Sequence, residues 1–428
     1  MKNRVVKMLQ LDCRVDRGLL PAGRPAERYA LMILRMPEVD SSTARLPVNL
    51  SLILDRSGSM QGDKLRFLQR AVAHTLRHLT PSDVVSIVAY DDEVEIVAPP
   101  FKVTPENTNA ALANVEKVWA GGKTNLSLGW FTGCDQIADH IGSGVINRAM
   151  VLTDGLANAG ITDVDLLVNQ ARELRVRGIT TTTFGVGHDF NQFLLQRIAD
   201  AGGGHFYFID DPEVIPAFFH GELGEMLSTV AKDIVVEVGV PKGASVEPLN
   251  GVPFELAENR HVRILLGDAF SGQTREIVVR VELPAFQRNQ HLLLPVSLHY
   301  EDTLEGRRVT IEQPGVIFET ADEARCRAER ADEDVLRAAC RSEVDRAKME
   351  ALFRDYESDL SGADDTLLAA ETTIFGLLPP DTARPLVEEL GTMSDALHLG
   401  LSDASRKKQH YRLYRNQRRR PDPGTPIP

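Results

Sequence analysis

"VNLSLILDRSGSMQGDKL", residues 48–65, runs a stretch of apolar residues straight onto Asp55, with Ser57 and Ser59 following on a turn that contains Gly58. A strand that reads as buried thus ends in three oxygen side chains. Two explanations fit. Asp and Ser are common at turns and helix N-caps, so the segment could simply start the next helix. Alternatively, the oxygens gather around a cation. The next stretch, KLRFLQRAVAHTLRHL, has a helical period, so the order is strand, oxygen-rich loop, helix.

The same order repeats downstream. VVSIVAY, RAMVLTD, TTTTFGVG and HFYFID read as strands, and VEIVA after Asp91-Asp92 reads as a hairpin partner of the first of these. Helical stretches fall near 106–118 and 125–141, in DVDLLVNQARELRVRG up to Gly178 and in NQFLLQRIADAGGG; Pro212 opens a long helix to about 231. Strands that are apolar on both faces and alternate with helices imply a doubly wound, mostly parallel sheet of Rossmann-like type over residues 46–231. From 232 to 318 only strands remain: DIVVEVGV, HVRILL, REIVVRVEL, HLLLPVSLHY and RRVTIEQ. That is the signature of an antiparallel sandwich. Residues 1–45 add VVKMLQLDCRV and RYALMILRM, separated by the Gly/Pro-rich turn region GLLPAGRPA, with no sheet of their own. The economical reading is one β-sandwich built from 1–45 and 232–318, with the α/β domain inserted in it. Residues 319–420 form a helical C-terminal region, and 421–428, PDPGTPIP, are expected to be disordered.

Bulk properties restrict the function. A chain of 428 residues implies two or three domains. A net charge of -13 argues against nucleic-acid binding. Cys13, Cys134, Cys326 and Cys340 are scattered, with no CxxC pair, which fits a reducing compartment. Arg4, Lys7 and Asp12 interrupt the N-terminus where a signal peptide needs an apolar run, and no segment approaches about 18 uninterrupted apolar residues. The expectation is a cytoplasmic protein without a membrane span; its oligomeric state is not encoded legibly. Charge is uneven: 319–365 is acid-rich, most simply a solvated face, whereas Ser405–Arg420 carries Arg and Lys and no acid. Self-docking of this tail, with the acidic stretch as nearest candidate, is expected if Tyr411, Leu413 and Tyr414 bury apolar area.

In a doubly wound sheet, ligands bind outside the carboxyl ends of the strands. Besides Asp55, Ser57 and Ser59, two further loops bring oxygen there: GGKTNL with Thr124, and VLTDGLAN with Asp154. Three hydroxyls and two carboxylates, without His or Cys, suit Mg²⁺ first and Mn²⁺ or Ca²⁺ after it, and do not suit zinc. The set Asp55-Arg56-Ser57-Gly58-Ser59, Thr124 and Asp154 before Gly155 closely resembles the metal-ion-dependent adhesion site of the von Willebrand factor type A family. The resemblance covers roughly residues 48–231. It implies that Ser57, Ser59 and Thr124 touch the metal directly and that Asp55 and Asp154 act through water or from behind. The flanking segments resemble a bacterial cytoplasmic group in which this domain sits in a sandwich followed by helices.

Competing motifs are weaker. AGGKT, 120–124, has Lys117 where a phosphate loop requires Gly. Ser59 lies in GSMQG, not GxSxG. His188 and His205 read as loop or packing residues. The favoured function is a binding module in which the cation captures an Asp or Glu of a partner protein. The alternative, by analogy, is a substrate adaptor for a MoxR-type AAA ATPase or a related assembly. A metal-assisted hydrolase ranks below both, because no general base can be placed beyond the metal carboxylates.

Overall fold

The computed structural model describes residues 8–39, 45–142, 144–257 and 259–418. The chain opens with β1 (Gln10–Val15), β2 (Leu19–Pro21) and β3 (Ala26–Arg35). It then enters an α/β unit: β4 (Val48–Asp55), α1 (Asp63–His78), β5 (Val84–Tyr90), β6 (Val94–Lys102), α2 (Pro105–Val115), α3 (Leu126–Ala138), β7 (Ile146–Thr153), α4 (Val164–Val176), β8 (Thr180–Val186), α5 (Gln192–Ala201), β9 (Gly203–Ile209) and α6 (Ile215–Leu227). Among the described residues the six strands lie in the order β6-β5-β4-β7-β8-β9. All neighbours are parallel except β5 and β6, the expected hairpin. Every residue of β4, β7 and β8 is buried, which is why these strands read as continuous apolar runs and not as alternations. Helix α1 covers the sheet with Leu65, Leu68, Ala71, Val72 and Leu76, spaced by three and four as one buried face requires. Side chains of Asn125, Asp163 and Asn191 accept from N–H groups in the first turns of α3, α4 and α5 and so fix where those helices begin.

The chain then supplies β10 (Thr229–Gly239), β11 (Ser245–Pro248), β12 (Phe254–Leu256), β13 (His261–Phe270), β14 (Thr274–Leu283), β15 (His291–Asp302) and β16 (Arg307–Ala321). Two further sheets result, ordered β1-β3-β14-β11 and β12-β13-β10-β15-β16-β2. Their inner faces share one core, in which Leu11, Met32 and Leu34 from the N-terminal strands meet Val236, Ile277, Val279, Leu298 and Phe318. The α/β unit is therefore inserted between strands that pair with one another: β3 runs antiparallel to β14 from Ala26↔Leu283 to Arg35↔Thr274. The fold class is that expected, with local corrections. GLLP, read as part of a turn, contains β2, which pairs in parallel with Glu319–Ala321 of β16, so 319–321 are strand and not helix. The helix after Pro212 is a 3-10 turn, Pro212–Val214, followed by α6, which stops at Leu227; the Thr229 hydroxyl donates back to the Glu225 carbonyl, and β10 starts there. Residues 1–7 and the disordered tail expected at 421–428 lie outside the described residues.

Helices α7 (Glu323–Ala328), α8 (Glu333–Tyr356), α9 (Leu360–Leu377), α10 (Pro380–His398) and α11 (Asp403–Arg418) close the chain. The acid-rich stretch is not simply solvated: Val335, Ala339, Cys340, Val344 and Leu352 of α8 pack with Tyr29, Leu31 and Val278 on the outer face of the β3/β14 sheet. The basic tail docks as expected on the acidic stretch, where α11 packs along α8, and it reaches the α/β unit as well. Arg406 reaches Asp355 at 2.9 Å, whereas Lys408 pairs with Asp210 at 2.7 Å and Arg418 with Asp200 at 2.5 Å, both in the α/β unit. Tyr411, Leu413 and Tyr414 are buried, and the Phe206 N–H donates to the Tyr414 hydroxyl at 3.0 Å.

Docking buries His410 against the rings of Phe193 and Phe206, with neither ring nitrogen hydrogen-bonded. Burial, reinforced by Lys407 and Arg418, lowers its pKa from 6.5 to about 3. The native imidazole therefore stays neutral while the unfolded one protonates below its ordinary value, so acid favours the unfolded chain. The stability present above about pH 6.5 is lost as pH falls toward 3, and by pH 5 this group alone costs about 2 kcal/mol. In urea unfolding, wild type should lose about 2 kcal/mol more than His410→Leu between pH 7.5 and pH 5. Parallel pH profiles for the two chains would contradict this.

Candidate functional site

Strand order reverses between β4 and β7, since β5 lies on one side of β4 and β8 on the far side of β7. This is the switch point at which loops diverge and leave a crevice beyond the strand ends. Asp55 ends β4, and Asp154 directly follows β7. Both carboxylates are fully buried; Ser57 and Thr124 are nearly so, and Ser59 is exposed at the lip.

Each oxygen is held by its loop. Asp55 Oδ1 accepts from the Ser57 N–H at 2.8 Å, which folds the chain back under the strand end, and Oδ2 accepts from the Thr153 hydroxyl at 2.6 Å. Ser57 Oγ and Ser59 Oγ are 3.2 Å apart, and Ser59 Oγ donates to Asp154 Oδ1 at 2.6 Å. Thr124 stands on a loop pinned at both ends. The Gly58 N–H donates to the Gly122 carbonyl at 3.2 Å, and the Thr124 N–H donates to Asn158 Oδ1 at 3.0 Å. Gly122 is required there: its φ is +73°, and a Cβ would lie 1.9 Å from Asp92 Oδ1. The Thr124 and Ser59 hydroxyls both border Gly155, where a Cβ would come 3.2 Å from Thr124 Oγ1 and 3.9 Å from Ser59 Oγ. The structure thus brings together all five residues singled out by sequence.

Other groups were not anticipated. The Lys64 ammonium, on the second residue of α1, pairs with Asp154 Oδ2. Thr153 and Asn158 steady the two loops, as above. Arg56 points away from the cluster into Asp91, at 3.1 Å, and Glu95, at 2.5 Å. Asp91 and Asp92 thereby find their use: Asp91 holds the arginine, and Asp92 accepts from the Lys123 N–H at 3.0 Å. His188 sits 3.1 Å from Asp210, and His205 lies 2.9 Å from Glu222, so neither belongs to this cluster.

The electrostatics favour a cation. Asp55 accepts from an N–H and a hydroxyl but from no cationic side chain among the described residues. Burial raises its pKa to about 6, against the lowering effect of the Thr153 and Ser57 hydrogen bonds, and the Asp154 carboxylate raises it further. Two buried carboxylates are thus compensated by one ammonium. Three hydroxyls beside them complete an all-oxygen donor set of the type that holds Mg²⁺, Mn²⁺ or Ca²⁺.

The model of the von Willebrand factor type A domain matches residues 49–220. The chain carries a von Willebrand factor type A domain. Such domains are often metal-dependent protein-interaction modules. Escherichia coli (strain K12) YfbK is 31% identical over 241 residues, covering 52% of this chain and 41% of that protein. Synechocystis sp. sll0103 is 28% identical over 320 residues, 70% of this chain and 74% of its own length. The likeness in fold extends past the von Willebrand factor type A domain itself. A von Willebrand factor type A structure from Catenulispora acidiphila aligns with a TM-score of 0.71 at 20% identity, over 95% of this chain and 96% of that one. No helix among the described residues is long and apolar enough to cross a membrane.

Proposed function

We propose that this protein is a cytoplasmic, metal-dependent binding module whose oxygen cluster captures an acidic side chain of a partner protein. The observation that carries the reading is the grouping of Ser57, Ser59 and Thr124 in the loops beside two fully buried carboxylates at the sheet's switch point, with Ser59 bonded to Asp154 and Ser57 next to Ser59. Ser57, Ser59 and Thr124 would hold the ion directly, while Asp55 and Asp154 would orient those hydroxyls and balance charge from behind. A divalent cation, Mg²⁺ by preference, supplies a strong electrostatic acceptor for a carboxylate, because neutral hydroxyl donors leave most of its charge uncompensated. The chain's own part is to keep the loops fixed: Asp55 ties the Ser57 backbone, and Thr153 ties Asp55. Binding and not catalysis is favoured because both carboxylates are already engaged, Asp154 by Ser59 and Lys64 and Asp55 by Thr153 and Ser57, which leaves neither free as a general base.

Mn²⁺ titration by calorimetry tests the site. Ser57→Ala with Ser59→Ala is expected to weaken binding by at least about 100-fold with circular dichroism unchanged. Bound Mn²⁺ also enhances water-proton relaxation. That signal should fall when a glutamate-containing peptide displaces water, and stay constant with the glutamine analogue. Undiminished Mn²⁺ affinity in the double variant removes the metal assignment; equal responses to the two peptides remove the capture of carboxylates.

A further inference from the structure

We propose that His74, His78 and His220 form a second metal site, for a borderline transition ion such as Zn²⁺, that clips α6 onto α1. His74 and His78 are four residues apart on α1, hence on one helix face. His220 projects from α6, which packs against α1. One ligand nitrogen from each of the three residues can be chosen so that all lie within 4.8 Å of one another. The three rings surround a common point, with centroids 4.2, 5.0 and 5.1 Å apart.

The details fit a metal better than a chance surface grouping. His74 Nε2 and His220 Nδ1 are 3.2 Å apart. Two nitrogens bound to a tetrahedral Zn²⁺ lie about 3.3–3.4 Å apart, so an ion could replace the proton they share with little movement. His78 Nδ1 donates to the His74 carbonyl at 2.8 Å. A carbonyl only accepts, so this bond fixes the tautomer and leaves the lone pair on Nε2, as backbone partners of metal-bound histidines do. His78 and His220 are exposed, so the ion has an entry path and room for water as a fourth ligand.

The site is chemically and spatially separate from the oxygen cluster. Its donors are all nitrogen, which reverses the preference for Mg²⁺. Lys64, at the oxygen cluster, precedes His74 by ten residues of α1, a rise of about 15 Å. Helix α6 is the last element of the α/β unit before β10 enters the sandwich, so an ion here would pin the segment that joins the two.

The full chain, with Mg²⁺ in excess, is titrated with Zn²⁺ by calorimetry and with Co²⁺ by visible absorption. We expect one site per chain with the d–d bands of tetrahedral Co²⁺. His220→Gln should weaken binding at least about tenfold, and His78→Gln with His220→Gln at least about 100-fold. Both residues are exposed, so the fold should survive. Zn²⁺ should raise the thermal midpoint of wild type and not of the double variant. Ser57→Ala should bind Zn²⁺ as wild type does. Unchanged affinity in the double histidine variant, a thiolate-to-cobalt charge-transfer band, loss of binding in Ser57→Ala, or no binding by wild type would each overturn the proposal.

Discussion

A chain lacking residues 1–40 is expected to aggregate, although the deletion ends before the α/β unit begins. β3 is an interior strand, flanked by β1 and β14. The deleted segment contributes Leu9, Leu11, Leu20, Tyr29, Leu31, Met32, Leu34 and Met36 to the interior, each at most 7% exposed. At about 1.5–3 kcal/mol for each large apolar side chain, the gross loss is of order 12–24 kcal/mol, larger than the net stability of about 5–15 kcal/mol typical of a domain. The deletion also frees the edge of β14 along its ten residues paired with β3, a template for pairing between chains. It removes anchors of the helical region as well: Arg14 donates to both carboxylate oxygens of Asp332, and Glu329 accepts from the N–H groups of Gly18 and Leu19. The excised 46–231 fragment should stay folded, because apart from Tyr411 and Tyr414 of α11 the buried residues of its core are its own. Size-exclusion chromatography with light scattering checks both. A monodisperse 41–428 chain would show that the N-terminal strands are dispensable.

What could be read from sequence, and what could not, follows the range over which each signal acts. Strands buried on both faces announce themselves as apolar runs, so β4, β5, β7 and β8 were legible, and with them the oxygen loops at their ends. Asp55, Ser57, Ser59 and Asp154 sit at short offsets from the ends of β4 and β7, whereas Thr124 lies on the loop between α2 and α3 and was tied to them by the family resemblance. Lys64 was missed because a lysine early in an amphipathic helix normally faces water; only the approach of α1 to the β7 loop turns it onto Asp154. β2, β11 and β12 have three or four residues each, too few to show a period, and β2 exists because Glu319–Ala321, some 300 residues away, offers it an edge. The tail's docking on α8 in the acidic stretch was legible from charge, but its second surface, on the α/β unit, was not. The tail's charge predicted an acidic partner, but Asp200 and Asp210 are single acids in loops and helix ends, made into a docking site by the surfaces around Phe206 and Phe208. Nothing in "INRAMVLT" distinguishes Arg148 from a solvent-facing strand residue, yet it is the most consequential charge in the interior.

Arg148→Met is expected to destabilise the chain by about 3–5 kcal/mol. Arg148 is 2% exposed, on β7, and its guanidinium joins both halves of the molecule. Nη1 meets Glu222 of α6 at 3.3 Å and donates to Thr182 of β8 at 3.1 Å; Nη2 meets Asp268 of β13, in the sandwich, at 3.1 Å. Methionine fills similar volume without the charge, so the loss reports electrostatics more than packing. Glu222 would keep hydrogen bonds from Thr182 at 2.7 Å and Tyr207 at 2.8 Å and its contact with His205. Asp268 would keep the Asp233 N–H at a long 3.3 Å and the nearby charge of Arg275, which donates to the Asp268 backbone carbonyl, but its carboxylate would lose the direct ion pair with Arg148. The destabilisation should therefore be concentrated on the sandwich side, and Asp268→Asn in the Arg148→Met background should recover part of it, a coupling that a packing defect would not give. Urea unfolding measures the total, and tryptophan fluorescence, which comes from Trp119 and Trp130 of the α/β unit, reports that unit apart from the whole-chain signal in circular dichroism. An Arg148→Met chain within about 0.5 kcal/mol of wild type would mean that water or side-chain rearrangement relieves Asp268, and that the two units are held together by apolar contact instead.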